Sequence, residues 1–164
     1  MLIALAKIGL LDLLAALFGA VLLTPRIEEE VVGRGLEAGA PEVAYVQRAL
    51  QAGWLVRAPL SEEEHRLAGQ LEARPGVHRG EAEALAVASS RGLTLLADEK
   101  RARTIARSLG VEVRGTAGVL LEGRNSRRFT REELEAAVRR LAAVLWLGPD
   151  VVAAILSQGP ELGK

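Results

Sequence analysis

A chain of 164 residues fits one domain, long enough to bury about two-thirds of its unfolded surface without a disulfide or structural metal. Its 21 basic and 21 acidic side chains cancel, which argues against a disordered chain and against a strongly basic nucleic-acid binder, so any partner meets a local patch. The absence of cysteine excludes thiolate nucleophiles and zinc ribbons, and having only His65 and His78 argues against imidazole metal sites.

Leu2 to Phe18 is apolar at helical length. Lys7 and Asp12 interrupt it, each costing about 2.5 to 3.5 kcal/mol near a bilayer centre, so it reads as a buried helix of a soluble protein and neither a membrane span nor a signal peptide. Val21 to Leu23 is a short strand, and Thr24-Pro25 gives an N-cap and first-turn proline for a helix through R-I-E-E-E-V-V, ended by Gly33, Gly35 and Gly39. Pro41 to Ala52 is a helix and W-L-V-R-A a strand. Ser61 to Glu64 is a capping box opening a helix to about Ala73. The loop R-P-G-V-H-R-G leads to the helix E-A-E-A-L-A-V-A-S-S-R, closed by Gly92. Strand Leu93 to Ala97, helix Glu99 to Leu109, strand V-E-V and a helix near Thr116 follow. A second capping box, Thr130 to Glu133, opens a helix reaching Trp146, and a last short helix follows Pro149.

Short apolar strands alternating with helices predict a parallel sheet covered on both faces, in one domain over residues 1–164 with a helical extension from about 125. In such sheets ligands bind at the carboxyl ends of strands, which is where L-T-L-L-A-D-E-K places Asp98. Taken singly, the acids have plainer roles: Asp98 as an N-cap, Glu81 as a first-turn acid, Glu28 to Glu30 as a solvated face. Glu83, about 160° around the helix from Glu81, reads as a solvent residue, with a supporting role behind the site as the alternative. If the acids converge, a carboxylate cluster without His or Cys is an oxygen-only site suited to Mg²⁺ or Mn²⁺ and to phosphodiester hydrolysis. Arg101, Arg103 and Arg107 form one basic cluster and Arg124, Arg127 and Arg128 another, each a solvated face or a holder of RNA phosphates.

Five pieces in order, L-I-A-L-A-K-I-G-L-L-D-L-L, T-P-R-I-E-E-E-V-V, G-E-A-E-A-L-A-V-A, L-L-A-D-E-K-R-A-R-T-I-A and G-T-A-G-V-L-L, resemble the PIN-domain superfamily, in its short stand-alone prokaryotic branch related to VapC-type toxins. The resemblance implies a three-layer α/β fold, a twisted parallel sheet flanked by helices, with acids at one end. It assigns catalytic and metal-binding roles to Glu30, Glu81 and Asp98, and supporting or substrate-binding roles to Glu99, Thr116, Arg103 and Arg101. It implies Mg²⁺ or Mn²⁺ as cofactor. Relatives of this kind begin with a strand ending in an Asp, ahead of the L-I-A-L-A-K segment. That strand is absent here, so the expectation is a native start further upstream, with a degenerate member as the alternative.

The function that follows is a metal-dependent cytoplasmic ribonuclease, the toxin of a toxin–antitoxin pair. Its partners are RNA, a small antitoxin protein and a second copy of itself, with no membrane. The alternatives are an inactive PIN-like module that binds RNA or protein, and an α/β signalling module whose Asp98 accepts a phosphate.

Overall fold

The computed structural model describes residues 1–145 and 148–157. The apolar opening is two helices, α1 (Leu2–Lys7) and α2 (Leu13–Phe18). Gly9, at φ 72°, turns the chain through the left-handed region that side-chain-bearing residues avoid, and so breaks the single helix that periodicity predicts. After β1 (Val21–Leu23) the chain runs through α3 (Pro25–Glu28), a π turn at Glu29–Gly33 and α4 (Arg34–Glu37). Gly33 and Gly35 therefore lie inside the helical run, which closes before Gly39. A Cβ on Gly35 would overlap Cγ2 of Val43, so its role is close packing of α4 on the next helix, not termination.

That helix is α5 (Val43–Gln51), followed by β2 (Leu55–Arg57), α6 (Glu62–Glu72) and α7 (Arg79–Arg91). Then come β3 (Leu95–Leu96), α8 (Lys100–Ser108), β4 (Val113–Arg114), α9 (Thr116–Asn125), α10 (Arg131–Val144) and α11 (Pro149–Ser157). Both capping boxes form. The predicted end of the α10 helix at Trp146 lies outside the described residues.

The α/β architecture with parallel strands is present, but among the described residues the strands make two pairs and no single sheet. In one, Val21, Leu22 and Leu23 register with Leu55, Val56 and Arg57; in the other, Leu95 and Leu96 register with Val113 and Arg114. Each pair has its own core. Leu5, Leu14, Leu23, Leu55, Leu120 and Leu141 bury together around β1 and β2. Leu71, Leu85, Leu95 and Ile105 bury together around β3.

Between β1 and β3 lies a cavity of about 300 Å³, lined from one side by Leu22, Thr24 and Ile27 and from the other by Ala88, Leu93 and Leu95. Val21 and Leu23 bond towards β2, and Leu95 and Ala97 bond towards β4. Alternate residues of a strand direct their peptide groups to opposite edges, so those of Leu22 and Leu96 face the edges nearer the cavity. No described strand pairs with either edge. The Thr24 hydroxyl at the cavity wall is buried with no hydrogen-bond partner.

Around the β3 half, one ion pair ties α7 to the start of α6. Arg91 donates from Nε to Glu64 Oε1 (2.7 Å) and from Nη2 to Glu64 Oε2 (2.8 Å) and to the carbonyl of Pro59 (2.9 Å). These Arg91 hydrogen bonds, with the Ser61 amide, outweigh burial and hold the Glu64 carboxyl at about 2. A carboxylate with a lowered folded-state value stabilises above its unfolded value and loses that contribution as pH falls towards the folded one. Arg91→Ala is expected to lower stability at pH 7 by about 2 kcal/mol. Thermal midpoints measured against pH should show the gap to the parent closing between about pH 4.5 and 2.

Candidate functional site

The carboxyl end of β3 delivers Asp98 to the start of α9. Asp98 Oδ1 accepts from the Thr116 backbone amide (2.7 Å) and Oδ2 from the Thr116 hydroxyl (2.6 Å), while the Met1 ammonium lies 3.6 Å from Oδ2. The expected cap on its own helix is not made. Glu99 is the N-cap residue of α8, and Asp98 instead serves the first turn of α9, whose N-cap, Gly115, has no side chain. A Cβ on Gly115 would lie 2.8 Å from Arg103 Nη1 and 3.3 Å from Asp98 Oδ1. Glycine there leaves room for a half-buried guanidinium beside the carboxylate.

Beside this point opens a cleft of about 760 Å³ whose lining includes Glu30, Glu81, Glu99, Arg34 and Arg79. Glu30 comes from the π turn after α3. Its Oε1 accepts from Arg26 Nε (3.1 Å), and its Oε2 lies 3.1 Å from where a Cβ would stand on Gly80. The carboxylate thus packs on the first turn of α7, where the helix dipole favours negative charge. Glu81 folds back on that turn, its Oε2 accepting from the His78 amide at 3.2 Å, which is the plain capping role its position offers. Arg101 and Lys100 occupy the outer side of α8.

The structure corrects the reading of Glu83. This side chain is 5% exposed, not solvent-facing: its Oε2 accepts from the Arg26 amide (3.0 Å) and its Oε1 pairs with Arg79 Nε (3.5 Å). Arg26 is the second residue of α3, so Glu83 supplies from α7 the N-terminal acceptor that the Thr24 hydroxyl does not provide. The three-residue offset of a capping box is visible in a sequence; an acceptor from 57 residues away leaves no local signal.

The donor chemistry around the cleft fits a hard divalent cation, since every acidic group offers only carboxylate oxygen. The positions fit less well. Glu81 is turned to its own helix, Asp98 is held by Thr116, and no group of three acidic or His side chains among the described residues is placed to hold a metal ion. Each engaged carboxylate oxygen keeps a free lone pair.

A family model described as PIN domain matches residues 1–161. Neither the curated proteins nor the solved structures give a match. Among the described residues no helix is long and apolar enough to cross a membrane.

The role found for Glu83 can be checked by urea unfolding. Glu83→Ala removes the acceptor for a helix N-terminus and leaves a hole among buried residues. It is expected to cost about 1 to 3 kcal/mol, whereas Glu83→Gln, which keeps an acceptor oxygen, should cost less.

Proposed function

The chain belongs to the PIN-domain family, a nuclease-type family that binds nucleic acid and generally uses divalent metal ions, and on that premise we propose that it is a ribonuclease dependent on Mg²⁺ or Mn²⁺. The observation that carries the reading is Asp98: a strand-end carboxylate fixed by two short hydrogen bonds from Thr116, next to a cleft lined by Glu30, Glu81 and Glu99. A bound Mg²⁺ or Mn²⁺ would supply an activated water and charge stabilisation on a phosphoryl oxygen. In this reading Asp98, Glu30 and Glu81 hold the ion. Thr116 fixes the rotamer of Asp98, and Glu99 carries negative charge at the cleft rim. Arg103 and Arg101 bind phosphate oxygens of the RNA. The toxin role, a small antitoxin partner, a homodimer and a cytoplasmic setting belong to the same proposal and rest on the resemblance to VapC-type toxins.

The slot between β1 and β3 bears on the active form. The resemblance puts a strand ending in an Asp ahead of the L-I-A-L-A-K segment and at the centre of the sheet. The apolar lining and two strand edges without a described partner support that reading.

A second reading, a PIN-like module that binds RNA or protein without cleaving it, is favoured by the engagement of Glu81 and Asp98 in hydrogen bonds within the fold. One experiment separates the two. Cleavage of single-stranded RNA is measured in Mn²⁺ for the 164-residue chain, for Asp98→Asn, and for the chain with an apolar strand ending in Asp joined ahead of Met1. The nuclease reading expects cleavage that needs metal and falls at least 100-fold in Asp98→Asn, by order of magnitude for a lost ligand; the strand should raise it. RNA retention without cleavage by any of the three would favour the binding module.

A further inference from the structure

The first turn of α8 breaks a local rule. Helix N-termini favour acids because the dipole places partial positive charge there. Yet this helix opens Lys100, Arg101, Ala102, Arg103, with no acid in its first turn. Elsewhere many cations are neutralised, as Arg79 is by Glu83, Arg114 by Glu112 and Arg131 by Glu135. Lys100 and Arg101 are exposed, and neither side chain makes an ion pair or hydrogen bond among the described residues.

A third free cation is brought to the same place by a turn. Arg74, Pro75, Gly76 and Val77 form a β-turn closed by the Val77 amide on the Arg74 carbonyl (3.2 Å). Proline stands at its second position and Gly76, at φ 73°, at its third, as a type II turn requires. A Cβ on Gly76 would lie 3.0 Å from Arg101 Nη1 and 3.4 Å from its Cζ. The guanidinium therefore rests on the bare backbone of the turn, which fixes Arg101 relative to Arg74.

The result is an open concavity of about 480 Å³ lined by Arg74, Lys100, Arg101, Thr104 and the apolar Ile105. The Thr104 hydroxyl is already donated to the Lys100 carbonyl at 2.9 Å, which leaves the three cationic groups as free donors. Three uncompensated positive charges around one concavity repel each other and the helix dipole, an arrangement stabilised by an anion between them. The cavity adjoins the acidic cleft through α8 itself. Glu99 and Ala102 line the cleft, Lys100 and Arg101 the cavity, and all four lie within about one helical turn.

We propose that Arg74, Lys100 and Arg101 form a binding site for a backbone phosphate of an RNA strand lying in the acidic cleft, on the side of α8 away from Glu30. The inference rests on the ribonuclease reading and adds to it a place where the substrate is held beyond the scissile bond. Phosphate contacts position a strand without reading its sequence. The site therefore sets register and affinity equally for any base.

Binding is measured apart from cleavage, by fluorescence anisotropy of a labelled single-stranded RNA of about 12 nucleotides in EDTA, across a range of salt. Arg74→Ala/Arg101→Ala is expected to bind about tenfold more weakly near 0.1 M salt and to reduce the slope of log K against log salt by about 1.4, the value for two lost contacts on a single strand. The exposed α10 pair Arg139→Ala/Arg140→Ala should leave both unchanged. An unaltered slope in the first variant, or an equal loss in the second, would overturn the site while leaving the nuclease reading standing. If the parent chain retains no RNA, or retains inorganic phosphate alone, the site falls too. Cleavage by the same preparation in Mn²⁺ then shows whether the nuclease reading falls with it.

Discussion

Across its middle the fold is joined by side-chain packing, with Leu96 of β3 against the first core, and by two carboxylates, with no ladder between the described strands of the two halves. Among the described strands, β1 and β3 bond outward to β2 and β4 and not to each other. The two cores they organise therefore need another tie. Asp98 provides one, since it leaves the β3 half and grips both the amide and the hydroxyl of Thr116 at the start of a helix whose Val119 and Leu120 are buried in the other core. Glu83 provides a second by accepting from the first turn of α3. Both are contacts to helix N-termini, from a buried Glu83 and an exposed Asp98, where a carboxylate gains from charge-assisted hydrogen bonds and from the dipole together.

This places stability and chemistry on the same atoms. A metal ligand must keep a lone pair free and sit in a defined rotamer; a structural cap consumes acceptor capacity and also fixes the rotamer. In the proposed role Asp98 would meet both demands, because each carboxylate oxygen can accept more than one bond and Thr116 takes one position on each. Glu81 resolves the same tension differently. Its bond to the His78 amide is a single cap, so turning it towards the cleft would cost about 1 kcal/mol. Glu30 stays poised over Gly80 because that residue lacks a side chain.

How much of this could be read from the sequence follows the range of each interaction. The capping boxes at Ser61 and Thr130 were legible because both partners lie three residues apart. The strand at Leu95 was legible as an apolar run, though pairing trims it to Leu95–Leu96. Glycines were ambiguous in kind. Gly9 and Gly39 end helices through positive φ, whereas Gly35 and Gly80 sit inside helices to admit a neighbour, and composition alone does not separate conformational from packing roles. Asp98 and Glu83 stood in the sequence as an apparent cap and an apparent surface acid. Their true partners, Thr116 and Arg26, lie 18 and 57 residues away, beyond any periodicity argument.

The uneven placement of charge in a chain whose net charge is zero follows from the same geometry. Parallel strands send their carboxyl ends to one side, and the helices that follow them present their N-termini there. That side already carries the dipoles' partial positive charge, so acids gather on it at little cost. Cations do not, and their presence in the first turn of α8 needs compensation that the described part of the fold does not supply. Acids line the cleft, and cations without a described partner stand on the adjoining face of α8. Neither group by itself separates a capped helix from the proposed site; the proposal rests on their juxtaposition across one turn of helix.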